Sequence, residues 1–533
     1  MLLDLRTLDD ATHFQTPLCI LGAGAAGLTL ARRLLDRGWP VLLVESGGLD
    51  YEAPVQALAE GRVVGWPYYD LDSVNLRMLG GTTAIWGGRC AQLDPIDFRG
   101  RSWVPHSGWP FGHEALQSYY REALALFQVA APDQARAEWH KHHPALRAVE
   151  GNDLALGFWS MDTAAARFAA PRLGDLLNHP KCRVLIHATA THLALAADGR
   201  SISRVDLRDV YGRRATVAAG HVVLALGGIE NARLLLASND VAANGIGNDR
   251  DQVGRYFMEH PHARGGKIVG PGIMRLLDAL GRRRMVNGTT HAPLMRLSES
   301  AQERLGALNS ALTLGLRRPE LARQAWVIGT FRKLKHELDS NTRNRALWRV
   351  AKDTVRRLDR LVFPLRPWWS VRTGHGEVAI VLRAEQAPNP DSRILLDRDT
   401  DAVGLRRIRL DWRLGAQDKH SVACLLACFD AALRTAGLGK AVKAGWLDDP
   451  DVPWRSDPNI SAQHIGGYHH MGTTRMADDP ARGVVDAHGR VHGLANLHVV
   501  GSSTFPTGGW ANPTLTIAAL ALRTADHFGR FDQ

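Results

Sequence analysis

Leu18-Cys-Ile-Leu-Gly-Ala-Gly-Ala-Ala-Gly27 is the stretch on which the fold turns. A short apolar strand runs into Gly22, Gly24 and Gly27, spaced Gly-x-Gly-x-x-Gly. Leu28 to Arg37 carries apolar residues at helical spacing, and Val41 to Val44 is a second strand ending at Glu45. Strand, tight turn, helix and strand make a βαβ unit of a doubly wound α/β sheet. The three glycines, with Ala25 and Ala26 between them, let the backbone approach a pyrophosphate at the helix N-terminus. Glu45, with Ser46 beside it, stands where an acid accepts both ribose hydroxyls. The pattern reads as a dinucleotide site. It does not separate FAD from NAD, although a carboxylate at 45 repels the 2′-phosphate of NADP.

Further along, Gly220 to Leu226 is a buried strand that enters a glycine turn, followed by a helix from Ile229 to Ala237. Ala225, Gly227 and Gly228 occupy that turn. This second unit returns to the same sheet, as in a domain assembled from separated segments. Arg183–His187 and Ser203–Arg208 alternate as hairpin strands. Between residues 75 and 89 lie Gly80, Gly81, Thr82, Thr83, Trp86, Gly87 and Gly88. So many glycines and threonines make a poor helix or strand and a good close-approach loop. Apolar Leu79, Ile85 and Trp86 argue against free exposure, so the loop reads as one that contacts a ligand. Near the end, Tyr468-His-His-Met-Gly-Thr-Thr-Arg-Met476 precedes Gly501, Ser502, Trp510, Asn512, Pro513 and Thr514 at the start of a last helix.

The 533 residues suffice for about two to four domains' worth of structure. One domain is expected from residues 14–110, 180–252 and 463–533, and a substrate domain from 111–179 and 253–462. In the second, Gly112–Ala130 and 298–366 read as helical. Glu377–Arg383, Arg393–Leu396 and Arg406–Trp412 read as strands, and Asp418 to about Thr435 as an amphipathic helix. The first ten residues carry acids where a secretory leader needs a basic start. No stretch is apolar for the ~20 residues of a membrane span. A cytoplasmic location is the default.

Five scattered cysteines suggest neither disulfides nor zinc, and Cys424 and Cys428, one helical turn apart, read as buried thiols. His140-Lys-His-His143 has no acid or cysteine at ligand spacing and reads as an exposed basic turn, so no metal is expected. The net charge of +11 is concentrated between Arg317 and Arg366, with fourteen basic against five acidic residues. So local an excess argues against nucleic acid. It is either a solvated helical face or a docking surface for an anionic partner or a membrane surface. Nothing fixes an oligomeric state.

Together, the fingerprint with Glu45, the Gly80–Gly88 loop and Gly227-Gly228-Ile-Glu-Asn-Ala-Arg-Leu-Leu235 form an ordered set. With Glu385-Gln-Ala-Pro-Asn-Pro390, the His469-x-x-Gly-Thr block and Asn512-Pro513, the chain resembles the glucose–methanol–choline (GMC) oxidoreductases over nearly its whole length. The resemblance implies bound FAD and two interleaved domains, one doubly wound, the other an antiparallel sheet shielded by helices. It places His469 on the family's catalytic histidine and Asn512 on its partner. Members with FAD bonded to histidine carry that residue close to Ile85. This loop has none, which implies non-covalent FAD. Gly501 stands where many members have Asp, leaving open any contact made by that acid.

Oxidising an alcohol removes a hydroxyl proton and passes a hydride to flavin N5. A neutral imidazole, with an ordinary pKa of ~6.5, suits the first task. His469 then takes the proton while Asn512 donates to the developing alkoxide. The helix from Pro513-Thr514 turns its positive end toward charge near N1. His470 is the neighbouring alternative base or a wall of the substrate site; Trp510 is either core or a sugar-stacking wall. The expected activity is FAD-dependent oxidation of a polar polyol, sugar or glycoside to an aldehyde or ketone, with oxygen, a quinone or a cytochrome as acceptor. The alternatives are a lyase on the same scaffold, a dehydrogenase of non-sugar alcohols or sterols, and a flavin-binding protein without catalysis.

Overall fold

The computed structural model describes residues 1–164, 167–320, 354 and 366–531, and its central strand is Thr12–Leu21. Leu18 to Leu21 are almost wholly buried, as a parallel strand covered on both faces must be. Val41–Val44 pairs with it in parallel on one side and Arg214–Leu224 on the other. Beyond Val41–Val44 follow Cys182–Ile186 and then Leu2–Asp4, both parallel. The far edge of Arg214–Leu224 is shared. Its first half meets Ile202–Arg208 antiparallel and its last residues meet Leu497–Val499 in parallel. Thr189–Leu195 closes this eight-stranded sheet.

Two expectations are corrected here. Cys182–Ile186 is an internal parallel strand rather than one arm of a hairpin; the hairpin is Thr189–Leu195 with Ile202–Arg208. Its buried Cys182, Val184, Leu185 and Ile186 form a short apolar run, which fits either pairing. The stretch 298–366 is not helical throughout. The helix Glu299–Leu305 ends at Gly306 in a left-handed conformation, and Ala311–Arg317 returns as a strand. Most of the remainder, 321–353 and 355–365, lies outside the described residues, and with it the basic docking surface.

The second sheet is antiparallel. Its order is Lys440–Lys443, His262–Val269, Glu377–Arg383, Ala311–Arg317, Thr289–Leu297, Leu154–Met161 and Arg89–Cys90, with Arg284–Val286 beside Thr289–Leu297. The helices Ile273–Gly281 and Ala416–Thr435 cover one face, burying Leu276, Leu280, Leu425 and Phe429 against Ile380 and Leu382. A three-stranded sheet of Arg393–Thr400, Arg406–Asp411 and Gly61–Val63 joins segments remote in sequence. Buried Arg233, on the helix Gly227–Ala237, anchors it through Asp401 at 2.7 Å.

Cys424 and Cys428 are half-buried rather than core thiols, with Cys424 Sγ 3.5 Å from His420 Nε2. His140 and His142 end the helix Asp133–His142 rather than forming a turn; His140 pairs with Glu150 at 2.6 Å. Among the described residues no helix is long and apolar enough to cross a membrane.

Candidate active site

The carboxyl ends of four parallel strands, at Leu21, Val44, Leu224 and Val499, open onto one deep cleft. Gly22 turns the first strand with φ of +103°, and a Cβ there would lie 2.5 Å from the Ala225 carbonyl oxygen. Gly24, Ala25, Ala26, Ala225, Gly227, Gly228, Gly501 and Ser502 line the cleft. Added Cβ atoms at Gly24 and Gly227 would meet only open space. Three helices begin here: Ala25–Asp36, Gly227–Ala237 and Thr514–His527 after Pro513. None has a side-chain cap, so their first N–H groups face the cleft with the positive ends of their dipoles.

Glu45 is buried at the cleft wall. Its two oxygens accept from the Ala23 and Gly47 N–H groups, each at 2.9 Å. Burial pushes its carboxyl pKa up, and these donors oppose the shift. Each oxygen keeps a lone pair for a hydroxyl. Ser46 lies 2.8 Å from Thr189 Oγ1 and accepts from Arg77, which pairs with Glu230 at 2.8 Å. Opposite sequence segments supply Gly81, Thr82, Thr83, Trp86 and Gly87. Thr82 accepts from Leu76 N–H at 3.0 Å, and Thr83 donates to the Gly80 carbonyl.

Four sequence candidates stand outside the lining. Gly27 packs helix on turn, where a Cβ would come within 1.9 Å of Gly22 O. Gly80 and Gly88 close against the carbonyls of Phe168 and Asp162. Trp510 is core: its indole donates to Asp94 at 2.7 Å and meets Trp159 edge-on, so it builds no stacking wall.

At one end of the cleft, His469 Nε2 receives Asn512 Nδ2 at 2.9 Å. His469 Nδ1 lies 2.7 Å from Nδ1 of His260, whose Nε2 lies 2.8 Å from the Gly509 carbonyl oxygen. A carbonyl only accepts, so His260 carries its proton on Nε2. Burial pushes the His260 pKa down to about 4, leaving the ring neutral and its Nδ1 a bare acceptor. His469 must therefore carry its proton on Nδ1, leaving Nε2 the acceptor that receives the Asn512 amide. Burial, then the fields of His260, His262 and Arg383, hold the His469 pKa well below the usual value.

Glu259 lies under this pair. It accepts from the main-chain N–H of His469 at 2.8 Å and of His260 at 2.9 Å. Burial raises its carboxyl to about 7. His470 also lines the cleft, but its Nε2 lies 2.9 Å from Tyr68 OH and its ring stacks on Phe257. Glu259 and His260 lie just inside the 253–462 segment, which the sequence assigns to the substrate domain without a site residue. The signal was there in two ionisable residues set in an otherwise apolar approach to a strand.

A profile described as GMC oxidoreductase matches residues 388–521. One described as FAD dependent oxidoreductase matches residues 17–243. The chain belongs to the glucose–methanol–choline oxidoreductase family. It is 27% identical to 6'''-hydroxyparomomycin C oxidase of Streptomyces lividus, over 95% of this chain and 90% of that protein. It is 25% identical to 2-methyl-1,2-propanediol dehydrogenase of Mycolicibacterium austroafricanum, over 97% and 95% of the two chains. The crystal structure of pyridoxine 4-oxidase from Mesorbium loti shares the fold, with a TM-score of 0.56 at 17% identity, covering 97% of this chain and 100% of that one. This GMC oxidoreductase is an FAD-dependent enzyme. The open cradle at Gly24 and Gly227 and the uncapped helix ends fit that dinucleotide.

Proposed function

We propose that this enzyme oxidises a CH–OH group of a polar polyol, sugar or glycoside, with His469 as base and Asn512 as its hydrogen-bonding partner. The observation that carries the reading is the ordered chain from Gly509 O through His260 and His469 to Asn512. It leaves His469 Nε2 unprotonated, its lone pair held by the Asn512 amide until a substrate hydroxyl takes that place. The depressed pKa keeps that nitrogen unprotonated at pH values where an ordinary histidine is half charged. A substrate hydroxyl entering between Asn512 and His469 gives its proton to Nε2, and the Asn512 amide then donates to the oxygen as charge develops.

FAD, when bound, supplies the acceptor for the hydride leaving the alcohol carbon. Glu45, the turn at Gly22–Gly24 and the Gly81–Gly87 loop would hold it, the helix N-termini facing its negative charge. No histidine or cysteine lies within that loop, in keeping with a non-covalent cofactor. The polar substrate class is supported by the two relatives above, whose names specify an aminoglycoside and a diol.

The test is anaerobic mixing of the yellow holoenzyme with aliphatic alcohols, polyols, sugars and aminosugar glycosides. Bleaching by polyols or sugars is expected, and His469→Ala should slow it at least 100-fold, the scale of a lost general base. Product formation with the colour unchanged would point to lyase chemistry and refute the proposal.

A further inference from the structure

The antiparallel sheet contributes two arginines to the cleft, Arg89 on Arg89–Cys90 and Arg383 at the end of Glu377–Arg383. Both guanidinium groups lie 5.5 Å from the ring of Trp159. Arg383 donates to His262 Nε2 at 2.8 Å; His262 Nδ1 in turn donates to Gln463 O, so the imidazole is a neutral acceptor. Among the described residues neither arginine has a carboxylate partner, and the Nε–H of each is buried without an acceptor.

Three arginines buried elsewhere are neutralised by the chain's own carboxylates, whereas Arg475, outside the cleft lining, donates to the His106 carbonyl and has no carboxylate partner among the described residues. Arg101 pairs with Glu385 at 2.6 Å, Arg233 with Asp401 at 2.7 Å, and Arg264 with Asp457 and Glu377. The cleft pair has the opposite surroundings. Arg89 is desolvated and faces the charges of Arg383 and Arg283, which hold it well below the ordinary guanidinium range. Arg383 is pushed down to about 10 by burial and by Arg317 and Arg283. Both side chains are half-buried in the cleft wall, and a largely desolvated charge without its counter-ion is unfavourable. Unlike Arg475, both of these line the open cleft, where a counter-charge can enter with a ligand. The uncapped helices serve the dinucleotide's negative charge, whereas Arg383 sits beside His262, two residues from His260 and close enough to influence His469.

We propose that the substrate alcohol carries a carboxylate, held by Arg383 and Arg89 while its hydroxyl meets His469. The planar fork of a guanidinium matches a carboxylate in two parallel hydrogen bonds, and two such forks fix both its position and its plane. Polyhydroxy acids, such as uronic and aldonic acids, are the class that fits. This inference rests on the reading of His469 as the base.

The test has a binding arm and a turnover arm. Acetate, titrated into oxidised holoenzyme, should perturb the flavin absorbance and the tryptophan fluorescence, with affinity lowered at least tenfold in Arg383→Gln and partly kept in Arg383→Lys. In anaerobic reduction, a uronic acid should exceed its neutral sugar by about 100-fold in kcat/KM, the scale of two charged hydrogen bonds. Acetate should compete with it. Arg89→Gln or Arg383→Gln should bring the ratio to within tenfold. Equal efficiency of acid and neutral sugar without acetate competition would overturn the proposal, as would preference for the sugar phosphate over the acid. Loss of the base reading looks different: His469→Ala would reduce flavin normally while acetate still bound at the arginines.

Discussion

Removing the acceptor behind His469 should slow hydride removal without emptying the site. In His260→Leu the ring that receives His469 Nδ1–H at 2.7 Å is gone, and the leucine fills much of its volume. A buried N–H left without its acceptor costs about 1–3 kcal/mol. The easy relief is for the proton to move to Nε2, which blocks the lone pair that takes the substrate proton. At 1.36 kcal/mol per tenfold, flavin reduction should fall roughly 10- to 100-fold. His260→Asn places an amide oxygen near the lost nitrogen and should recover most of that rate. The assay is anaerobic stopped-flow reduction, normalised to bound flavin, across pH 5 to 9. A second readout separates positioning from mere packing. His260 is among the groups that depress the His469 pKa, so its removal raises that pKa and moves the acid limb of the reduction rate to higher pH. A His260→Leu enzyme with full flavin, wild-type rate and an unmoved acid limb would refute the relay.

Three further outcomes follow from the same geometry. Glu259 rises from 4.5 to about 7 on folding, so its folding contribution is full below pH 4.5 and lost as pH rises through 7. Relative to wild type, Glu259→Gln should gain up to about 3 kcal/mol between pH 4.5 and pH 8 in urea unfolding; a pH-independent difference would contradict the raised carboxyl. Gly27→Ala drives a Cβ to 1.9 Å from Gly22 O, and should lower stability by about 3 kcal/mol or more and release flavin on dilution; retained absorbance after gel filtration would argue otherwise. Trp510→Phe loses a 2.7 Å bond to Asp94 and should lower stability by about 2 kcal/mol with KM for sugars unchanged; a tenfold rise in KM at intact stability would restore the stacking wall.

The nucleotide half of the cleft was legible because its parts are contiguous. Strand, glycine turn, helix and acid fall within 18–45, and each is recognised from local spacing. Pairing partners were not legible in the same way. Val184 to Ile186 is too short an apolar run to separate a hairpin arm from an internal parallel strand, and only the neighbours Val41–Val44 and Leu2–Asp4 decide it. Ala311–Arg317 was absorbed into a helical reading because its arginine-rich continuation masked a strand whose buried residues are Ala311, Leu312, Leu314 and Gly315. His260 was out of reach for a different reason. It lies 209 residues before His469, and no periodicity marks one ring as the acceptor that orients another.

That separation says what the antiparallel sheet does for the site. A histidine and an asparagine from the C-terminal block would by themselves leave the tautomer of His469 open, since Asn512 can present either its amide nitrogen or its oxygen. The choice is made by His260, held in the approach to the strand His262–Val269 and pinned by the Gly509 carbonyl. The neighbouring register pairs His262 with Arg383, so one strand pair delivers both the residue that orients the base and the cation proposed to hold the substrate. A shift of that register by one residue would turn Arg383 to the other face and break the approach carrying His260. Base and substrate anchor are thus set by a single structural decision, made in a sheet that contributes no glycine fingerprint and leaves no motif to read.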